Sequence, residues 1–189
     1  MGAVLQGLPP VVGATTRLVV LGSFPGVASL RAGQYYAHPR NHFWPILSAL
    51  WNIDLPALPY AERLEQMLAR GLGLWDVYAS CRREGSLDSA IEQAEFNDLA
   101  GLTRLAPQLQ ALAHNGGESA RAMRHTRSMR APQSLRSRPQ GARPAWDGPA
   151  LGLAAVVHRL PSTSPANASW SFERKLAAWR LAFEEHHIA

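Results

Sequence analysis

The chain has 189 residues, 47% of them hydrophobic and six of them tryptophan, enough to bury roughly two-thirds of the surface its unfolded form exposes, as one domain. A single cysteine, Cys81, excludes an internal disulfide and any cysteine-rich zinc or iron–sulfur centre; no apolar run reaches the ~20 residues that span a bilayer and no basic head opens a secretory signal, so a cytoplasmic protein without a membrane partner is expected. Seven of the 19 bases and two of the 14 acids lie between Glu118 and Ala150, which leaves 12 of each elsewhere, so the net charge of +5 belongs to that one segment and is weak ground for a nucleic-acid partner.

Residues 1–16, with Pro9-Pro10 and little periodicity, read as a lead-in. The first strand is expected over Arg17–Ser23, where Leu18 to Leu21 brings branched apolar residues together. Gly22, Pro25 and Gly26 break it, and a loop rich in aromatic and polar groups runs on to Trp44. Pro45 suits the first turn of a helix, where its missing N–H costs nothing, and Phe43, Ile46, Leu47 and Leu50 share its core face. Residues 52–59 read as a turn-rich connection. Tyr60–Arg70 reads as a helix with Leu64, Met67 and Leu68 inward and Gly71 as its stop. Leu72–Tyr78 reads as the second strand and Ala79–Ala90 as a polar loop after it. Phe96–Leu105 is expected to be helical, ended before Pro107, and Leu109–His114 to be the third strand, with Asn115-Gly116-Gly117 at its carboxyl end. Residues 118–126 suit the start of another helix. From Arg127 to Pro149 the composition turns to Arg, Pro, Ser, Gln and Gly, too poor in apolar groups to offset ordering, so 118–150 reads as a poorly ordered insertion. Leu151–His158 is the fourth strand, and Leu160–Asn167 the loop after it. Asn167 or Ser169 caps the last helix, whose core face carries Phe172, Leu176, Trp179 and Phe183. Strands alternating with helices predict an α/β fold, a three-layer α/β/α arrangement with a central four-stranded parallel sheet.

In such sheets a ligand sits at the carboxyl ends of the strands, and each strand here is followed by a polar loop. The common catalytic templates do not match these loops. The seven histidines show no paired ligand spacing with cysteine or carboxylate, so no metal is expected. There is no Walker loop, no dinucleotide fingerprint and no Gly-x-Ser-x-Gly elbow. What remains suits recognition of a planar base. Tyr35 and Tyr36 offer faces for stacking, Asn115 offers a donor and an acceptor to a base edge, and small Ser, Thr and Gly residues let main-chain N–H groups approach phosphates. Each has a plainer alternative: core packing for the tyrosines, an ordinary turn for Asn115-Gly116, and an unremarkable loop for Pro161 to Pro165.

Gly22-Ser-Phe-Pro-Gly26, Tyr36-Ala-His-Pro-Arg-Asn-His-Phe-Trp44, Asn115-Gly116 and Pro161-Ser-Thr-Ser-Pro165 together resemble the uracil-DNA glycosylase superfamily. The spellings Gly-Ser-Phe-Pro-Gly, Gln-Tyr-Tyr and Leu-Pro-Ser-Thr-Ser-Pro look most like its DNA-deoxyinosine (hypoxanthine) branch. The match covers about residues 16–117 and 151–183. It departs from mismatch-specific members, which carry a water-positioning asparagine where Phe24 stands, and from relatives with His or Asn where Leu160 stands. The resemblance implies a cofactor-free glycosylase acting on double-stranded DNA that holds a deaminated or mismatched base, as a nucleoid-associated monomer. It implies Asn41 as the catalytic residue, with a helix N-cap as that residue's alternative role. Gly22, Ser23, Phe24, Pro25, Gly26, Tyr36 and Asn115 are then expected to bind the base, and His38, Arg40, Ser162, Thr163, Ser164, Pro165 and Ala166 the DNA. Two rivals stand beside this reading: a uracil or thymine mismatch glycosylase, and a DNA-binding module without catalysis.

Overall fold

The computed structural model describes residues 3–130 and 156–188. In chain order it forms β1 (Leu5–Gln6), β2 (Leu18–Gly22), α1 (Val27–Ala32), α2 (Phe43–Trp51), α3 (Tyr60–Ala69), β3 (Leu72–Asp76), β4 (Tyr78–Arg82), β5 (Glu92–Phe96), α4 (Leu102–Leu105), β6 (Ala111–Asn115), α5 (Gly117–Arg130), β7 (Val156–Leu160) and α6 (Phe172–Glu185). Strands β3-β2-β6-β7 make a four-stranded sheet in which every pairing is parallel. Leu18 to Leu21 are all fully buried, which is what a central parallel strand covered on both faces requires. Leu18, Val20, Leu72, Leu74, Ala111 and Ala113 meet Phe43, Ile46 and Leu47 of α2, Met67 of α3, and Trp179 and Phe183 of α6. Val19, Leu21 and Leu112 face the other way, onto Leu102 of α4 and Ala122 and Met123 of α5. The three-layer α/β/α fold is the one the alternation of elements predicts.

Several local expectations change. The apolar run after Gly71 is two strands, not one. At Val77 the chain leaves the parallel sheet, because its N–H and that of Tyr78 turn to the carbonyls of Gly22 and Ser23. Tyr78–Arg82 then joins a second, antiparallel sheet of order β1-β4-β5. The segment read as a polar loop therefore begins as a strand, and Glu92–Phe96, whose last residue was read as helical, is its partner. The expected helix shrinks to a 3-10 turn at Leu99–Gly101 and the short α4. The lead-in contributes β1 and a bridge from Val11 to Leu74. A helix, α1, stands inside the long loop after β2, ended by Gly33 at φ +62°. The cap of α6 is Ser171, whose Oγ accepts from the N–H of Arg174; Asn167 and Ser169 instead bond within the preceding loop. Gly117–Arg130 is helical, which agrees with a helix beginning in residues 118–126 and carries it a few residues further. The rest of the expected insertion, and the start of the fourth strand at Leu151, lie outside the described residues.

Candidate active site

At the carboxyl edge of the parallel sheet, Gly22 and Asp76 end their strands side by side. A Cβ on Gly22 would stand 2.2 Å from Asp76 Oδ1, so only glycine lets that carboxyl group lie across the neighbouring strand end. Asp76 is 4% exposed, and its Oδ2 has no hydrogen-bond partner. Burial, with help from the nearby Asp88 and against the pull of Arg83, pushes the Asp76 carboxyl up to about 7. Beside it the Tyr36 hydroxyl is also buried, with no close hydrogen bond but with the Asn115 side chain within reach. Burial and the Asp76 charge raise that phenol above its ordinary value, so it stays protonated. Both are buried polar groups at the floor of the cleft, placed to hydrogen-bond a bound base.

The walls are built from the loops. Tyr36 adopts φ +55°, a left-handed conformation unusual for a bulky residue. Its ring stacks on Phe43 at 4.0 Å between centroids and 25° between planes, leaving the opposite face for the cleft. Tyr35, by contrast, is core: its hydroxyl donates to the Leu8 and Pro9 carbonyls and its carbonyl accepts from Trp44. Asn41 Oδ1 accepts from the N–H of Phe43 at 2.9 Å, an Asx turn that leads into α2, whose cap residue is His42 rather than Asn41; the side chain also lines the cleft.

Asn115 is tied to Thr163 twice. Its Oδ1 accepts from the Thr163 N–H at 2.8 Å and its Nδ2 donates to Thr163 Oγ1 at 2.9 Å. The Thr163 carbonyl in turn accepts from the N–H of His42 at 3.0 Å. Gly116, at φ +111°, brings the chain so close to Ser162 that a Cβ would stand 3.0 Å from it. Phe24 is 6% exposed; the Arg83 guanidinium lies 5.1 Å from its ring centroid and also donates to the Pro25 carbonyl. Ser23 donates to Asp88 Oδ1 at 2.5 Å, and Ser86 Oγ accepts from the N–H of Val27. The connection between β4 and β5 is thereby bound to the loop after β2. The Asp88 carboxyl is held above its ordinary value by loss of water around it, with the Ser23 hydrogen bond opposing.

These groups surround one cleft of about 410 Å³, within the size range of small-molecule sites. Every residue expected at the site lines it except Arg40, which is exposed and bonds through its own N–H to His38. The cleft also gathers residues that the sequence reading did not place there: Asp76, Ser29 and Asn167. Asp76 had a faint signal, as the one charged residue in the apolar run from Leu72 to Tyr78. Among the described residues the cleft contains no group of three metal-donating side chains; the group that does converge lies elsewhere.

The sequence profile of the Uracil DNA glycosylase superfamily matches residues 9–184. The chain belongs to that superfamily. Similar proteins named hypoxanthine DNA glycosylase occur in Methanosarcina acetivorans, 36% identical over 94% of this chain and 97% of that protein, and in Methanosarcina barkeri, 41% identical over 60% of this chain and 72% of that one. A Schizosaccharomyces pombe protein named for G/U mismatch-specific uracil DNA glycosylase activity is 24% identical over 97% of this chain and 54% of its own length. The solution NMR structure of a Methanosarcina acetivorans protein, described as a candidate uracil DNA glycosylase, superposes with a TM-score of 0.74 at 29% identity, covering 97% of this chain and 98% of that one. Phe24, buried under the Arg83 guanidinium, has no polar group with which to orient water. Polar groups that face the cleft are supplied instead by Asn41, Tyr36 and Asp76.

Proposed function

We propose that this protein is a DNA glycosylase that excises hypoxanthine from deoxyinosine in duplex DNA, hydrolysing the N-glycosidic bond and leaving an abasic site. The observation that carries this reading is the floor of the cleft, where the buried Asp76 carboxyl and the Tyr36 hydroxyl lie side by side among the cleft-lining loops. The base must first leave the stack, which costs a few kcal/mol and less when it is mispaired. Cleavage then builds positive charge on the sugar and negative charge on the departing purine. Groups aimed at those charges lower the barrier more than a strong base would.

Tyr36 stacks on the extruded purine, its hydroxyl lying in the ring plane toward Asp76 and Asn115. Asp76, held near neutrality, donates a proton or hydrogen bond to a ring nitrogen or the exocyclic oxygen as negative charge grows there. Asn41 keeps its amide N–H₂ and a second Oδ1 lone pair for the attacking water and the sugar. Asn115 spends its oxygen and one amide hydrogen on Thr163, so one amide hydrogen remains for the base edge. Main-chain N–H groups of the Gly22–Gly26 loop other than Pro25, which has none, take up the base oxygen. His38, Arg40 and residues 162–166 meet the DNA backbone. The protein works as one glycosylase domain, a monomer acting on chromosomal DNA inside the cell. Among the described residues no helix is long and apolar enough to cross a membrane.

The test is a panel of labelled duplexes with hypoxanthine, uracil or xanthine at one position, treated with alkali after incubation with the protein. Strongest cleavage at hypoxanthine is expected. An intact panel would refute glycosylase action, and cleavage confined to uracil opposite G would transfer the assignment to the rival base.

A further inference from the structure

Two strands away from Gly22 in the parallel sheet, on the face that α6 covers, three side chains point their donor atoms at one another. His158 lies in β7 on the same side as Leu160, which joins the α2–α6 core. Glu185 ends α6 and His186 is its cap residue. His158 Nε2 and His186 Nε2 are 2.8 Å apart, with their rings at 72°, and Glu185 Oε2 is 3.8 Å from His158 Nε2. All three donor atoms fall within 4.8 Å of one another. None of the three residues lines the cleft.

We infer that His158, Glu185 and His186 form a zinc site separate from the glycosylase centre. Two imidazoles and one carboxylate are the donor set of open three-ligand zinc sites, the fourth position going to water. The imidazole nitrogens favour a borderline transition-metal ion over magnesium or calcium. Nitrogens held ~2.0–2.1 Å from a tetrahedral ion lie ~3.3 Å apart, so the two rings need to separate by about 0.5 Å to admit one. Glu185 is exposed, which gives the ion an entry path and lets the carboxylate swing onto it.

The scaffold behind the ligands is fixed before any ion arrives. Arg17 donates to the carbonyls of His186 and His187, Trp51 Nε1 donates to the Ile188 carbonyl, and the Ile188 N–H bonds back to Phe183. His186 is 4% exposed and Ile188 fully buried. A segment held this way loses little freedom when it binds, which favours affinity. The ion would join an edge strand to the end of the last helix. Spacing along the chain hides such a site, because His158 is contributed from a distant element.

The experiment uses the full, untagged chain stripped with EDTA. Zn²⁺ is titrated by calorimetry, and Co²⁺ by its visible absorption. One equivalent per chain is expected, with a tetrahedral Co²⁺ spectrum and a higher melting temperature on metal addition. Losing even an outer-shell partner costs ~10–100-fold in metal affinity, so Glu185→Gln and His158→Gln should each weaken binding at least that much. Glu185 is exposed, so its substitution leaves the fold intact and keeps the comparison sound. Failure of the wild-type chain to take up an equivalent of either ion overturns the site. So does uptake that both variants retain unchanged.

Discussion

At the scale of single residues, Asn41 and Asp76 each carry two duties that substitution separates. Asn41 Oδ1 closes the turn before α2 by accepting from the Phe43 N–H, while the side chain lines the cleft. Asn41→Ala should cost ~10²–10³ in excision rate, the usual loss of one well-placed polar group, plus ~1 kcal/mol of stability for the lost hydrogen bond to the Phe43 N–H. Asn41→Asp keeps an acceptor for the Phe43 N–H, so it should restore the melting temperature without restoring excision, with duplex binding close to wild type in both. Equal excision by Asn41→Ala and wild type on an inosine duplex would remove Asn41 from the chemistry. Asp76 is written in pH. Its carboxyl titrates at 3.8 when unfolded and at about 7 when folded, so between those values the folded chain holds a proton that the unfolded chain has lost. Stability therefore falls as pH rises through that window and levels above it. Asp76→Asn should abolish that slope and raise stability at pH 8, by up to about 4 kcal/mol, measured by urea denaturation across pH. Excision by wild type should decline above about pH 7 as the donor proton leaves, and the variant should lose that inflection.

At the scale of elements, two strand ends and one loop fix the cleft. Gly22→Ala puts a methyl group 2.2 Å from Asp76 Oδ1; the carboxyl group must move, so excision should collapse while circular dichroism stays native. Adding Asp76→Ser to Gly22→Ala should relieve the crowding and raise the melting temperature above that of the single variant. The regular strands and helices were legible because their causes are local. Leu18 to Leu21 is continuously apolar, and the helical spacing of Phe172, Leu176, Trp179 and Phe183 survives in any context. The branch into a second sheet was not legible, since what turns the chain at Val77 is a pair of main-chain bonds to Gly22 and Ser23, more than fifty residues earlier. The same holds for the site. The glycine-rich loop and Asn41 stand out in the sequence, whereas Asp76 becomes part of the cleft only because register sets it beside a residue without a side chain.

At the scale of the whole molecule, the last residues close the structure. Ile188 is fully buried in the core against α2 and α6, and Arg17 spans from the start of β2 to the carbonyls of Arg70, His186 and His187. Ile188→Ala should therefore cost ~2–5 kcal/mol, as large-to-small core substitutions do, with a lower urea midpoint and an unchanged slope. Thr163 performs a similar service nearer the cleft. Its N–H and hydroxyl belong to Asn115 and its carbonyl to His42, next to Asn41. The loop of residues 162–166 and the turn that presents Asn41 are consequently joined through Thr163. Under the roles proposed for residues 162–166 and Asn41, a duplex seated out of register would shift both together, so DNA placement and excision would be coupled through Thr163.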